Sequence, residues 1–205
     1  MTAKRILLVA EMLVLFVALP VLFLFDFLPG LWKVLPLVLF MAYCFYILVK
    51  RGQIKKQDFL LKHIKTSAWL KMFIFPTGLF AVLYWQFPEI LWADFNDRHV
   101  LIAIITYPLF SCLPQEIIYR QFFYFQYEKL LNNRYVLIAL NAIIFSFAHI
   151  YFENYIALIL TLLGGIAFSW TYLKTRSLLF VSIEHSVYGL ALLCSGLNQY
   201  FYKAF

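Results

Sequence analysis

The chain has 205 residues, 64% of them hydrophobic and 13% charged, with a net charge of +7. Soluble domains carry roughly a quarter of their residues charged, so a chain this apolar cannot bury its surface in water and an ordinary soluble fold is excluded. The composition points to an all-α polytopic membrane helix bundle, 1–205 forming one membrane domain.

Apolar runs lie at about 6–25, 31–49, 69–87, 99–130, 135–151, 154–173 and 177–196. Each is long enough, or nearly so, to cross a hydrocarbon core of about 30 Å as a helix. The expected count is seven transmembrane helices, or eight if the long fourth run breaks. In the first run, Lys4 and Arg5 precede about twenty apolar residues and no small-residue cleavage site follows. That pattern fits a retained helix better than a signal peptide. Glu11 lies near this basic edge and is read as reaching the interface, a structural role.

Between the second and third runs, Lys50, Arg51, Lys55, Lys56, Lys62, Lys65 and Lys71 form the one strongly basic segment. Placing it with Lys4/Arg5, Lys129/Arg134 and Lys174/Arg176 on the cytoplasmic side leaves Asp26, Glu89, Asp94, Asp97 and Glu153 on the other. The positive-inside rule then sets the N-terminus in the cytoplasm and, for seven helices, the C-terminus outside. This loop charge serves topology and the anionic leaflet, so no nucleic-acid partner is expected. Residues 55–68 are read either as an amphipathic helix lying on that leaflet or as a solvated loop.

The fourth run, 99–130, is too long for one straight crossing, since 32 residues make a helix of roughly 48 Å. Pro108 and Pro114 are places for it to kink or break. If Pro114 begins a new helix, Gln115 and Glu116 stand at its N-terminal end, where the dipole favours a carboxylate. In the sixth run Ala157, Thr161, Gly165 and Ser169 recur every four residues. Such a stripe lets neighbouring backbones approach closely, and it is assigned to packing with no chemistry. Cys44, Cys112 and Cys194 lie in apolar runs at unrelated spacings and read as buried small hydrophobes. No internal repeat or low-complexity segment stands out.

Ionisable groups inside membrane segments are expensive, so each needs a partner or a purpose. Those that call for explanation are Glu116 and Arg120 in "SCLPQEIIYRQFFYF", His149 in "FSFAHI", and Glu184 with His185 in "SIEHSVYG". Glu116 and Arg120 are four apart with the acid first, the favourable orientation for a helical ion pair that simply locks the helix. At 1.5 Å per residue, Glu116, His149 and His185 lie roughly 27, 22 and 14 Å above the inner basic edge. With tilt and a kink, all three can share one buried pocket.

Two chemistries stay open for such a set. Glu116 and His149 can orient and deprotonate a water while His185 stabilises the oxyanion formed at a peptide carbonyl. Alternatively the three coordinate a zinc ion whose bound water attacks. No His-Glu-x-x-His signature is present, so zinc has no special support and no cofactor is expected.

The order "QEIIYR", "FSFAH" and "TYLKTRSLLFVSIEHSVYG" resembles the CPBP family of CAAX-protease and bacteriocin-processing (Abi) intramembrane proteases. The resemblance covers roughly 99–198; the helices of 1–98 carry no family signature. It implies that Phe145 and His149 match the second motif, His185 the third, and Glu116 and Arg120 the second Glu and the Arg of the first. It also implies an intramembrane endopeptidase cutting a membrane-proximal bond of a membrane-anchored peptide or protein, surrounded by lipid. Residence in a cell membrane, taken as a bacterial inner membrane, goes with that reading. The family's implied chemistry is a glutamate-activated water in preference to bound metal.

Two positions depart from the family pattern. Gln115 stands where the first Glu is usual, and a glutamine can orient a water but cannot take its proton. Gly189 stands four residues after His185, where an Asn is common, which removes one side-chain donor for an oxyanion. Ser186 or a backbone N–H is the replacement considered. An inactive relative serving as a membrane scaffold or binding protein is therefore the alternative function. A transporter is a third reading, but inverted repeats and paired broken helices are not visible.

Overall fold

The computed structural model describes residues 3–25, 34–86, 98–131 and 133–201. Among them every regular element is helical, as lipid demands of a backbone with no water to bond. Five helices are long and apolar enough to cross a membrane: α1 (Ala3–Leu24), α3 (Thr66–Gln86), α4 (Val100–Leu130), α5 (Arg134–Phe152) and α6 (Tyr155–Thr175). Two shorter helices, α2 (Val34–Lys50) and α7 (Leu178–Leu193), are also apolar. Large side chains such as Trp85 (81% exposed) and Phe110 (79%) point outward, a surface that suits lipid. Asp26, Glu89, Asp94 and Asp97, assigned above to the outer side, lie outside the described residues.

The chain divides into two compact units, the first comprising 1–55 and 117–170 and the second 56–116 and 171–205. In the first unit, α1 carries a π-helical turn at Val14–Ala18. Phe16 within it is fully buried, edge-on to Phe40 at 5.3 Å, Tyr119 at 5.5 Å and Phe123 at 5.8 Å. Each such pair contributes about 0.5–1.5 kcal/mol beyond area burial. Asn133 caps α5 by accepting from the Tyr135 and Val136 amides, and Asn154 caps α6 through the Ile156 amide at 2.8 Å. The small-residue stripe of α6 is buried along its whole length. A Cβ on Gly165 would stand 2.9 Å from the Ala142 Cα, so α5 and α6 touch backbone to backbone, the close approach the stripe predicts.

The second unit is organised by α7, which is buried on most of its circumference, as expected of a helix apolar all round. Phe180 meets Trp69 of α3 edge-on at 4.9 Å. Ser177 caps α7 by accepting from the Phe180 amide at 3.2 Å. Its hydroxyl also reaches the carbonyls of Leu60 and Asp58 at 3.3 and 3.4 Å. That anchoring corrects the amphipathic-helix reading of 55–68. The segment forms one short 3₁₀ turn, Lys56–Phe59, and regular helix resumes only at Thr66. Carbonyls that a helix would use internally are bonded instead to the α7 cap.

Candidate active site

Pro108 and Pro114 do not break α4. The run stays helical, and a π turn at Pro108–Cys112 is closed by the Leu113 amide bonding to the Pro108 carbonyl. A proline removes a donor and crowds the carbonyl one turn back; the wider i→i+5 turn accommodates this without ending the helix. Gln115 and Glu116 therefore sit inside helical structure, Leu113–Glu116, that is followed by a second π turn at Ile117–Phe122. The expectation of a helix N-terminus at Glu116 is corrected accordingly, and no dipole end is available to hold its charge.

What holds Glu116 is a histidine. In the second unit its Oε1 accepts a hydrogen bond from His185 Nδ1 at 2.9 Å, with Glu116 fully buried and His185 6% exposed. A carboxylate can only accept here, so Nδ1 carries the proton and Nε2 becomes the working nitrogen of the ring. Tyr107 lies edge-on to the same imidazole, ring centroids 6.4 Å apart. Glu184, adjacent to His185 in sequence, is buried and engages the Tyr188 hydroxyl one turn along α7. Gln115 donates from Nε2 to Ser111 Oγ at 3.0 Å, while its Oε1 is buried and has no hydrogen-bond partner among the described residues.

In the first unit Arg120 is fully buried, and its Nη1 donates to Asn141 Oδ1 at 2.6 Å. Its guanidinium lies over the rings of Phe145 and Phe168, 4.9 and 5.7 Å from their centroids. Asn141 in turn donates to the Tyr119 carbonyl at 2.7 Å and accepts from Ser169 Oγ at 2.6 Å. Thus Glu116 and Arg120 each have a strong buried contact that the i, i+4 reading did not foresee. Ser169, assigned above to packing alone, also belongs to a polar network.

His149 lies where the regular α-helix of α5, Arg134–Phe147, gives way to its final 3₁₀ turn, and its Nδ1 donates to the Phe145 carbonyl at 2.8 Å. Its ring packs against Phe145 with centroids 4.9 Å apart. A carbonyl oxygen accepts only, so this tautomer also presents Nε2, with a lone pair when the ring is neutral. Among the described residues no group of three or more His, Cys, Asp or Glu side chains is gathered to hold a metal ion.

Residues 97–191 match the family model described as Type II CAAX prenyl endopeptidase Rce1-like. This segment is similar to the Rce1-like family. It holds all three motifs, Gln115–Arg120, Phe145–His149 and His185–Gly189, and with them the buried Glu116–His185 pair. The long apolar helices make the chain an integral membrane protein. No curated protein and no solved structure is significantly similar to it.

Two residues were not singled out by the sequence for this region. Asn141 interrupts an apolar helix, and that polar intrusion was the available signal. Tyr107 gave none, since aromatic residues are common throughout. Glu11 was assigned to the interface, yet it accepts from Tyr43 Oη at 2.5 Å and Gln126 Nε2 at 2.9 Å, a half-buried polar cluster within the first unit.

Proposed function

We propose that the chain is an intramembrane endopeptidase that hydrolyses a peptide bond in a membrane-anchored substrate, the C-terminal tail of a prenylated CAAX protein being the class the family description suggests. The observation that carries this reading is the Glu116–His185 pair: a carboxylate and an imidazole, both buried in apolar helices, bonded at 2.9 Å within the matched segment. Charged groups at such depth persist where they serve a function.

In this reading His149 takes the proton of the attacking water on Nε2 as its oxygen bonds to the scissile carbonyl carbon. Gln115 Oε1, a buried acceptor, helps to orient that water. The carbonyl electrons move onto oxygen, and doubly protonated His185 donates from Nε2 to the oxyanion, its charge balanced by Glu116. As the carbon–nitrogen bond breaks, His149 returns its proton to the leaving amine. Glu116 thereby moves from the water-activating role expected of it to the support of His185. The assignment of His149 rests on its motif and its tautomer.

The test is cleavage of an S-farnesylated, fluorescence-quenched CAAX peptide by the purified protein in liposomes. His149→Ala, His185→Ala and Glu116→Gln should each abolish cleavage while the protein still folds; full activity in all three would sink the proposal. Activity that persists in chelator and without bound metal by elemental analysis supports the water mechanism, and chelator-sensitive activity favours zinc. Gln115 favours the second reading, an inactive relative acting as scaffold or binding protein. That reading wins if the wild type cleaves nothing and Gln115→Glu confers cleavage.

A further inference from the structure

Gly189 lies one helical turn beyond His185 on α7, so a side chain there would project from the same face as the imidazole. That space is filled from elsewhere in the second unit. A Cβ built on Gly189 would stand 2.5 Å from Tyr107 Cε1 and 2.6 Å from Cζ, and would collide with the phenolic oxygen. The hydroxyl end of Tyr107 therefore occupies the volume that any larger residue at 189 would claim. Its ring is held there edge-on to His185, at 6.4 Å and 86°. The buried Cys112 lies close by.

Resting on the protease reading above, the geometry points to Tyr107 as a catalytic residue: its hydroxyl is the second donor to the oxyanion, beside His185, and Gly189 is the residue that makes room for it. A phenol is a neutral donor whose proton does not have to be lost to act. Beside it in the resting site is the Cys112 sulfur, at most a weak acceptor. When the scissile carbonyl becomes an oxyanion, the Tyr107 hydroxyl exchanges that weak neighbour for a stronger, charged acceptor. Exchange of this kind stabilises the transition state more than the ground state, which is the condition for raising kcat. Residue 189 and residue 107 are thus one functional unit: the donor that a side chain on α7 would provide comes from α4.

The experiment compares wild type, Tyr107→Phe, Tyr107→Ala, Gly189→Ala and the double variant Tyr107→Ala with Gly189→Asn on the farnesylated peptide in liposomes, with melting temperature as a check on folding. Tyr107→Phe keeps the ring and removes only the donor. Its kcat should fall about 10²–10³-fold with KM little changed, the loss typical of one oxyanion donor. Gly189→Ala should lower kcat by displacing the phenol, and Tyr107→Ala with Gly189→Asn, which clears the ring and restores an amide donor, should recover part of the loss seen in Tyr107→Ala alone. An unchanged kcat in Tyr107→Phe, or a loss confined to KM, overturns the assignment while leaving the protease reading intact if His185→Ala is dead. Should the wild type prove inactive, the same series is run in the Gln115→Glu background. If neither background cleaves, the protease reading and this assignment fall together.

Discussion

Glu116 and Arg120 are four residues apart in α4, yet they enter polar clusters of different kinds. Glu116 meets His185, a group that can gain or lose a proton, and the imidazole's second nitrogen is directed elsewhere by that bond. Arg120 meets Asn141 and two aromatic faces, and Asn141 is shared with Ser169 and the Tyr119 carbonyl. Nothing in the second cluster exchanges protons near neutral pH, because guanidinium stays charged and the amide and hydroxyl stay neutral. The contrast teaches that burial and charge alone do not mark chemistry in a membrane. The titration behaviour of the partner does.

Variants can break that contrast or sharpen it. The largest effect is expected from His185→Ala and Glu116→Gln. Peptide cleavage should fall about 10²–10⁴-fold, the span of acid–base and charge-stabilising groups, with little change in melting temperature. Loss of folding with activity retained per folded molecule would place this pair with the structural cluster instead. Next comes Asn141→Leu, which removes one acceptor of a buried guanidinium. The stability should drop by about 1.5–3 kcal/mol, read by thermal unfolding in detergent, with kcat per folded molecule retained. A selective loss of kcat there would erase the distinction between the two clusters.

Smaller effects follow from the backbones that carry these clusters. Gly165→Ala places a methyl group against the Ala142 backbone and should cost about 1–3 kcal/mol by overpacking α5 against α6. Thermal unfolding checks it, and an unchanged melting temperature would show that the α5–α6 contact gives way freely. Smallest is Ser177→Ala, which removes the α7 cap. A loss of about 1 kcal/mol is expected, detected as faster amide exchange in the first turn of α7. Protection unchanged at Phe180 would mean that the cap is not needed.

Helix positions were legible because hydrophobic runs report directly on burial in lipid, and the apolar runs fall where the helices α1 to α7 of the described residues do. Whether the helix breaks at Pro114 stayed open in the sequence. Proline's effect depends on whether the neighbouring turn can widen, and a composition of Leu, Phe, Ser and Cys before it does not announce a π turn. Between helix and loop for 55–68 the sequence could not choose, for a related reason: the anchor for its carbonyls, Ser177, is 117 residues away from Leu60. In the candidate site, His149, His185 and Glu116 were visible as ionisable groups in apolar runs. Tyr107 was not, since one tyrosine among 14 carries no special signal until its position beside Gly189 is known.

The sequence by itself determined that this protein is an all-helical membrane protein, and which acids and imidazoles must find partners in its apolar segments. Those properties follow from the local cost of exposing backbone or charge to lipid. Only the tertiary structure decided the partnerships: Glu116 with His185, Arg120 with Asn141, and the Tyr107 hydroxyl in the space left by Gly189. Each joins residues far apart in the chain, and hydrogen bonds form or fail over tenths of an ångström, a scale that helical spacing alone does not resolve.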